Sequence, residues 1–331
     1  MLMLPGCSDT PLRPTQVIES PRAFCPAPVA LSSLSGLPLP VSYGAATATG
    51  GTPPTTVSCS PASGAIFPIG VTTVTCTATD QVARTDSCAF SVTVTAPPRL
   101  SVTRFLAFGD SLTWGEDGRN SVMSLSRFTA LNLVRPRVQF PAPDTYPGAL
   151  QAKLAALYTA QFPQVTNGGR PGETVTGPAT FPRFVSFTST GAYDAVLLME
   201  GVNDLGSHSI PEIIAGLARM VDDAKSRGMK VFLATLPPQN PNGFDPVDRG
   251  TQYEAVPPFN DSIKGLAASK GVQLVDVYQA FGLDLTLISN DGLHQTAAGY
   301  HTIANAFLAS IRQTLELPAA ASSIAKGRWG R

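Results

Sequence analysis

The chain has 331 residues, and its 23 basic and 23 acidic side chains give a formal net charge of zero. Charged residues make up only 14% of the sequence, so no basic face is available to neutralise phosphates, and nucleic acid is not an expected partner. A hydrophobic fraction of 43% is sufficient for a packed core. No run reaches the roughly 18 apolar residues that a membrane-spanning helix needs.

Residues 1–23 precede the first predicted domain and contain one of the five cysteines, Cys7. The segment Leu4-Pro5-Gly6-Cys7 resembles the end of a bacterial lipobox, although its proline is atypical. A complete signal peptide has a basic region and about 7–15 apolar residues, and residues 1–23 have neither. Two hypotheses stay open. In one, the segment is the remnant of a lipoprotein signal and Cys7 is lipidated; in the other, it is a tail with an isolated cysteine.

Residues 24–97 are rich in Ser, Thr, Val, Ala, Gly and Pro and are almost free of charge. Apolar and polar residues alternate in Val74–Thr79 and again in Phe90–Val94. This period of two predicts strands that are buried on one face. Segments rich in Gly, Pro and Ser separate the strands. The block is therefore predicted to be a small all-β sandwich.

Four cysteines, Cys25, Cys59, Cys76 and Cys88, lie inside this block. A domain of this size has a marginal core, which disulfides commonly stabilise in an oxidising compartment. Four cysteines allow three connectivities, and their spacing does not choose among them. We predict Cys59–Cys76 and Cys25–Cys88, with four buried free thiols as the alternative.

The block resembles a hyalin repeat (HYR) module. The similarity rests on Cys25-Pro26, on residues 59–64, on Phe67-Pro68-Ile69-Gly70, on residues 73–80 and on residues 87–90. The resemblance implies an extracellular, immunoglobulin-like module. Such modules serve adhesion or spacing, so the block is expected to contact cell-surface or extracellular partners.

After the linker Pro97-Pro98-Arg99 the pattern changes to strands and helices in alternation, over residues 98–316. Apolar runs predict strands that are buried on both faces of a parallel sheet. These runs are Phe105–Phe108, Ala195–Met199, Val231–Ala234 and Val272–Val275. Leucine and isoleucine at helical spacing predict helices between them, around residues 150–157, 213–221 and 303–311. Gly228 and Gly271 stand where helices are expected to end. The domain is therefore predicted to have a three-layer α/β architecture; residues 317–331 are predicted to be a disordered tail.

Four segments of this domain place reactive or polar residues after a strand or before the last helix. They are Gly109-Asp110-Ser111, residues 167–174 with Gly172, Gly201-Val202-Asn203-Asp204, and Asp291-Gly292-Leu293-His294. In a parallel sheet, functional groups collect at the carboxyl ends of the strands. Each segment alone has a plainer interpretation, such as a turn, a helix cap or a flexible loop. Together they predict a hydroxyl nucleophile, oxyanion donors, and a histidine oriented by a carboxylate.

In this order, the four segments resemble the signature blocks of the SGNH hydrolases, the GDSL esterase/lipase family. The resemblance covers about residues 103–315 and implies a three-layer α/β/α, flavodoxin-like fold. It implies that Ser111 is the nucleophile, that His294 is the general base and that Asp291 orients it. The Ser111 and Gly172 N–H groups and the Asn203 side chain then form the oxyanion hole. The Gly-x-Ser-x-Gly pattern of the other common serine-hydrolase fold is absent, because Thr113 stands two residues after Ser111.

The remaining candidates have weaker support. The chain has three histidines. His208 is a candidate for substrate contact or a solvated loop residue, and His301 belongs to the last predicted helix. Glu173 and Asp204 would suit a glycosidase acid and base only with a cleft to support them. No cluster has the spacing of metal ligands, so neither a metal nor a cofactor is expected.

The sequence therefore predicts an exported serine ester hydrolase, either secreted or anchored to a bacterial cell envelope through Cys7. Its expected substrates are small-molecule, glycan or lipid esters, and residues 116–145 and 237–258 are candidate walls of the substrate crevice. The alternative for 116–145 is a surface insertion. An alternative enzyme is a carbohydrate acetyl esterase. The alternative without catalytic activity is an adhesion or glycan-binding protein with a silent hydrolase domain.

Overall fold

The structure is a computed structural model that describes residues 18–121, 137–243, 252–282 and 284–318. Cys7 and nearly all of the predicted carboxyl tail lie outside these ranges. The chain divides into two compact units, with the boundary between Pro97 and Pro98.

The first unit is built from strands. Its strands are β1 (Arg22–Phe24), β2 (Val29–Ser32), β3 (Leu39–Pro40), β4 (Thr47–Thr49), β5 (Thr56–Ser60), β6 (Ile66–Phe67), β7 (Gly70–Thr79) and β8 (Thr85–Thr95). Four of them form a sheet in the order β2-β8-β7-β5, and two further pairs are β1-β4 and β3-β6. The strand-rich, immunoglobulin-like character that the sequence predicts is confirmed.

The core of this unit follows the predicted alternation. On β7 the buried side chains are Val74, Cys76 and Ala78, and on β8 they are Phe90, Val92 and Val94. The intervening threonines and serines point away from this core, since successive strand residues face opposite sides.

Two disulfides join strands or segments of the first unit. Cys59 lies directly opposite Cys76 in the antiparallel pairing of β5 with β7, and the two are bonded. Cys25, which follows β1, is bonded to Cys88 on β8. This is the pairing that the sequence analysis predicts.

The second unit alternates strands with helices. Its strands are β9 (Arg104–Gly109), β10 (Gln164–Gly169), β11 (Ala195–Met199), β12 (Lys230–Ala234) and β13 (Gln273–Val275). Its helices are α1 (Ser111–Trp114), α2 (Tyr146–Leu157), α3 (Thr180–Thr188), α4 (Ile210–Ser226), α5 (Val256–Lys270), α6 (Val277–Phe281) and α7 (Ala297–Leu315).

The five strands form one parallel sheet in the order β10-β9-β11-β12-β13. Every residue of β11 is buried, as the apolar run Ala195–Met199 predicts. From β9 the chain passes to β10 on one side and then to β11 on the other side of β9, so the strand order reverses at β9. The three-layer, flavodoxin-like fold class is confirmed, and a crevice is expected at the carboxyl end of β9, where the reversal occurs.

The helices bury the faces that their spacing indicates. Ile213, Leu217 and Val221 of α4 are buried, and so are Ile303, Phe307 and Ile311 of α7. Gly228 and Gly271 take left-handed backbone angles, with φ of 78° and 60°. Gly228 stands two residues after α4, and Gly271 directly follows α5. A residue without Cβ adopts this conformation at the least cost, which explains both glycines.

Residues 167–169, for which the sequence predicts a loop, belong to a strand in the structure. They are the last residues of β10, paired in parallel with β9. This edge strand lacks an apolar run, and its sequence pattern therefore indicates a strand only weakly. Gly169 fits because a Cβ there would collide with the backbone of Trp114.

None of the helices within the described ranges has both the length and the apolar character needed to cross a membrane.

Candidate active site

Three neighbouring strands deliver the candidate residues to one edge of the sheet. Ser111 comes two residues after β9, Gly172 three residues after β10, and Asn203 four residues after β11. Since all strands run parallel, their carboxyl ends meet at this edge, with β9 between the other two. The fold itself therefore brings together residues that are up to about ninety positions apart in the sequence.

Ser111 is held by the turn from β9 into α1. The Asp110 carboxylate caps this short helix by accepting a hydrogen bond from the Leu112 N–H at 2.9 Å. The helix ends at Gly115, which has a left-handed φ of 92° and donates its N–H to the Ser111 carbonyl. Ser111 is only 2% exposed, so its hydroxyl lies in a largely enclosed position.

Ser111, His294 and Asp291 form a continuous chain of hydrogen bonds. The Ser111 Oγ lies 2.9 Å from His294 Nε2, and His294 Nδ1 lies 2.6 Å from Asp291 Oδ2. The other Asp291 oxygen accepts the N–H groups of Leu293 and His294 at 3.0 and 2.9 Å. The three side chains are separated by as much as 183 positions in the sequence, and all three are buried.

Asp291 fixes the state of the imidazole. Burial alone would raise the pKa of the Asp291 carboxyl, but the hydrogen bond and charge of His294 and the two backbone N–H groups outweigh it. Together they lower that pKa to about 2. The carboxyl is therefore ionised at neutral pH and accepts a hydrogen bond from Nδ1–H, which leaves Nε2 to accept the Ser111 hydroxyl proton.

Gly172 and Asn203 follow the two strands that flank β9 in the sheet. Gly172 has a left-handed φ of 76°, and Asn203 Nδ2 donates to the Glu173 carbonyl at 2.8 Å. This bond ties the Asn203 amide to the loop that contains Gly172. Within the described residues, neither the Ser111 N–H nor the Gly172 N–H has an acceptor. Both groups are available to a bound oxyanion.

Glu173 and Asp204, the carboxylates considered above for a glycosidase, are occupied with holding these loops. Both Asp204 oxygens accept backbone N–H groups, of Val175 at 2.7 Å and Thr176 at 3.0 Å. Glu173 is ion-paired with Arg183, whose Nη1 also donates to the Gly168 carbonyl at 2.8 Å. The structure thus gives each carboxylate a structural partner and does not support the acid–base pair.

Two buried carboxyl groups beneath the site were not singled out from the sequence. Asp110 and Glu200 follow β9 and β11 in paired register, since Gly109 lies opposite Met199. Asp110 Oδ2 and both Glu200 oxygens have no hydrogen-bond partner within the described residues. Burial raises the pKa of Asp110 to about 7 and that of Glu200 well above its ordinary value. An isolated carboxyl after an apolar run is the only signal that the sequence offers for Glu200.

A second charged pair next to the histidine was also missed. Glu116 Oε2 lies 3.6 Å from His294 Nε2 and 2.8 Å from Arg137 Nη1. Glu116 and Arg137 belong to the two described ends of the segment 116–145, which the sequence proposed as a wall of the crevice. Their separation of 21 positions explains why no local motif revealed them.

The other candidate wall also reaches the site at its described end. The Asn240 N–H donates to the Gly292 carbonyl at 2.8 Å, beside the turn that holds Asp291 and His294. Residues 237–243 and 252–258 of this segment are described, and residues 244–251 lie outside the described ranges.

His208 and His301 lie in other surroundings. His208 Nε2 is 3.2 Å from Thr176 Oγ1, and its Nδ1 is 3.0 Å from Ser207 Oγ. His301, on α7, has its Nε2 3.7 Å from Asp144 Oδ1. Of the three histidines, His294 is the one bonded to Ser111. Among the described residues, no group of three or more His, Cys, Asp or Glu side chains could hold a metal ion.

Comparisons with known proteins identify a family for each part of the chain. Residues 107–302 match the GDSL-like lipase/acylhydrolase family, and residues 19–94 match the HYR domain. Because the first match covers more than half of the sequence, the chain belongs to the GDSL-like lipase/acylhydrolase family. The protein is therefore a serine hydrolase that cleaves carboxylic esters.

Solved structures share the fold of the second unit. A carbohydrate acetylesterase from Sinorhizobium meliloti is 22% identical, with a TM-score of 0.51 over 63% of this chain and 98% of its own. An aryl esterase from M. smegmatis is 21% identical, with a TM-score of 0.50 over 64% and 99%. A lipase/acylhydrolase from Enterococcus faecalis is 18% identical, with a TM-score of 0.50 over 64% and 97%. No curated protein matches the chain.

Proposed function

We propose that the protein cleaves carboxylic esters through an acyl-enzyme on Ser111, with His294 as the general base and Asp291 as the residue that orients it. The observation that carries this assignment is the hydrogen-bond chain from Ser111 Oγ through His294 to Asp291, at 2.9 and 2.6 Å. A serine hydroxyl is a weak nucleophile until a neighbouring base accepts its proton, and this chain supplies that base.

In the proposed mechanism, His294 Nε2 takes the proton of Ser111 as Oγ attacks the ester carbonyl. Asp291 stabilises the imidazolium that forms. The N–H groups of Ser111 and Gly172 and the second amide hydrogen of Asn203 stabilise the oxyanion. The imidazolium then gives its proton to the leaving alcohol. Water, activated by the same histidine, releases the acyl group and regenerates the serine.

The proposal includes export of the protein. Two disulfides and an HYR-like module are features of proteins that function outside the reducing cytosol. We assign residues 24–97 to this module, as a spacer or a binder of extracellular partners, and residues 98–316 to the hydrolase. A lipid on Cys7 would anchor the protein to a bacterial envelope. Mass spectrometry of protein made with its upstream sequence tests this point, and an unmodified Cys7 would exclude the anchor.

The catalytic assignment is tested by labelling with a fluorophosphonate probe. The Ser111→Ala variant should lose all labelling and all hydrolysis of p-nitrophenyl acetate. Ser289→Ala is a matched control, because Ser289 is a buried serine whose N–H donates to the His294 carbonyl; it should still be labelled. Labelling of Ser111→Ala would show that another serine is the nucleophile.

A panel of p-nitrophenyl esters of increasing acyl length tests the activity itself. Hydrolysis by the folded wild-type chain supports the enzyme, and the preferred length separates acetyl esters from longer acyl chains. If the folded protein cleaves none of them, the alternative of an adhesion protein with a silent hydrolase domain is favoured.

A further inference from the structure

Glu116 and Arg137 lie on two short segments that backbone hydrogen bonds join, with Glu116 opposite Gln139. The Asp117 N–H donates to the Val138 carbonyl at 2.8 Å, and the Phe140 N–H donates to the Gly115 carbonyl at 2.9 Å. These two bonds form a short antiparallel ladder. The ladder is anchored on α7, since the Tyr300 hydroxyl donates to the Glu116 carbonyl at 2.8 Å. These bonds fix the backbone on which Glu116 and Arg137 stand, and the Glu116 side chain is buried.

The Arg137 guanidinium lies against the proposed oxyanion hole. Its Nη2 is 3.0 Å from the point where a Cβ on Gly172 would lie. Its Nη1 donates to Glu116 Oε2 at 2.8 Å, which is its one hydrogen bond to the described residues. The side chain is 43% exposed. It therefore retains unused N–H donors at the border of the site.

The position of Glu116 shows which part of an ester would meet these donors. Its Oε2 lies 3.6 Å from His294 Nε2, the nitrogen that returns a proton to the departing alcohol. Groups beside this nitrogen must border the alcohol side of the ester. Arg137, bonded to the same Glu116 oxygen, reaches from that side to Gly172.

We propose that Arg137, oriented by Glu116, binds a carboxylate on the alcohol portion of the ester and so selects anionic substrates. This inference rests on the proposed function, because it places the scissile carbonyl at Ser111. Guanidinium groups pair with carboxylates through parallel N–H donors, an arrangement that a lysine cannot reproduce. Glu116 acts as a positioning residue: its buried carboxylate holds one edge of the guanidinium and leaves another edge for the substrate.

Arg119 provides a comparison within the same loop. It is also ion-paired with a buried carboxylate, Asp117, at 2.8 Å. Its guanidinium lies over the Phe140 ring, 4.9 Å from the ring centre, and not beside Gly172. Replacing Arg119 therefore removes the same charge and the same type of ion pair without removing the proposed substrate contact.

The test compares 3-acetoxybenzoate with its uncharged methyl ester, with p-nitrophenyl acetate as a reference. In Arg137→Gln, kcat/KM for 3-acetoxybenzoate should fall by about tenfold or more, the usual effect of losing a hydrogen bond between charged groups. Values for the two uncharged esters should change less than about threefold. Arg137→Lys should retain part of the preference, and Arg119→Gln all of it. Glu116→Ala should weaken the preference for the charged ester, because Arg137 then keeps its charge but loses the acceptor that orients it. Glu116→Gln should keep most of the preference, because its amide oxygen can still accept from Arg137.

Two results would overturn the inference. One is an equal loss in Arg137→Gln for charged and uncharged esters, which would make Arg137 a structural partner of Glu116. The other is an unchanged kcat/KM for 3-acetoxybenzoate in Arg137→Gln relative to wild type. Thermal melting and fluorophosphonate labelling of each variant confirm that it is folded and active. Failure of the proposed function looks different, because wild type would then fail to hydrolyse p-nitrophenyl acetate as well.

Discussion

At the scale of single residues, Asn203 is the proposed oxyanion donor whose removal should lower catalysis without affecting folding. Its amide donates one hydrogen to the Glu173 carbonyl and has a second for the oxyanion. We predict that Asn203→Ala lowers kcat by about 10²–10³, the usual effect of losing one oxyanion donor. Steady-state kinetics on p-nitrophenyl acetate and a thermal melt measure the two effects.

Asn167→Ala is the matched control for this prediction. Asn167 is also a side-chain amide at the carboxyl end of a strand, but its Nδ2 donates to the Trp114 carbonyl at 3.1 Å and the residue is exposed. Its replacement should leave kcat within about threefold. Full activity of Asn203→Ala would remove Asn203 from the oxyanion hole.

Glu200 gives a prediction about stability and pH. Its raised pKa means that it stays protonated in the folded chain at pH values where the unfolded chain ionises it. The free energy of unfolding is therefore undiminished below the ordinary glutamate pKa of 4.5 and falls as the pH rises above it. Glutamine is neutral at every pH. The free energy of unfolding of Glu200→Gln should therefore rise relative to that of wild type by about 1–3 kcal/mol from pH 5 to pH 8. Urea denaturation at the two pH values measures this gain.

Glu212→Gln serves as a control, because its effect on the free energy of unfolding should have the opposite sign. Hydrogen bonds from the Ser209 side chain and backbone lower the pKa of Glu212. Its contribution to stability is therefore present above the ordinary pKa and is lost as the pH falls. The glutamine variant should lose stability relative to wild type at pH 8. Parallel pH curves for wild type and Glu200→Gln would show that Glu200 does not hold its proton in the folded chain.

At the scale of elements, the 3₁₀ turn Gly118–Ser121 packs against the acid of the triad. A Cβ on Gly118 would lie 2.6–2.7 Å from the carboxylate atoms of Asp291. Such a distance is a steric clash, so one of the two groups would have to move. We predict that Gly118→Ala displaces either the turn or Asp291 and lowers kcat by about tenfold or more, because the orientation of His294 depends on Asp291. Kinetics on p-nitrophenyl acetate provide the measurement.

The control for this variant is Gly265→Ala in the interior of α5. Space around Gly265 is open, and alanine is favoured over glycine there by up to about 1 kcal/mol. This variant should keep full activity and melt at an equal or higher temperature. Unchanged kinetics in Gly118→Ala would mean that the turn yields without moving Asp291.

The elements differ in how far the sequence could predict them. β11 and β12 are apolar runs buried on both faces, so their limits follow from composition and pattern alone. β10 lies at the edge of the sheet and its exposed positions carry polar residues, which gave it the pattern of a loop. The turn Gly118–Ser121 and the ladder between Glu116 and Gln139 depend on contacts across the fold, which no local pattern encodes.

At the scale of the whole molecule, the cysteines divide the chain into a unit with disulfides and a unit without cysteine. Both disulfides belong to the first unit and close loops of 63 and 17 residues. Each is worth about 3–4 kcal/mol on the loop-entropy estimate. We predict that dithiothreitol lowers the melting temperature of the first unit alone, while hydrolysis of p-nitrophenyl acetate continues.

Calorimetry of the full chain with and without reductant tests this, because the two units have separate hydrophobic cores. An iodoacetamide-blocked, unreduced sample is the control and should show neither change. Loss of hydrolysis on reduction would show that the activity of the second unit depends on an intact first unit.

The sequence by itself determined the fold class, and it predicted the two-part organisation and the triad residues on which the proposed function rests. It could do so because burial imposes a local pattern on strands and helices, and because Ser111, Asp291 and His294 lie within short recognisable segments. Tertiary structure alone decided that Ser111 Oγ lies 2.9 Å from His294 Nε2. It also decided that Glu116 and Arg137 border that site and that Glu200 is buried without a partner among the described residues. These facts depend on distances between strand ends and loops that are remote in the chain, and such distances are fixed only when the sheet assembles.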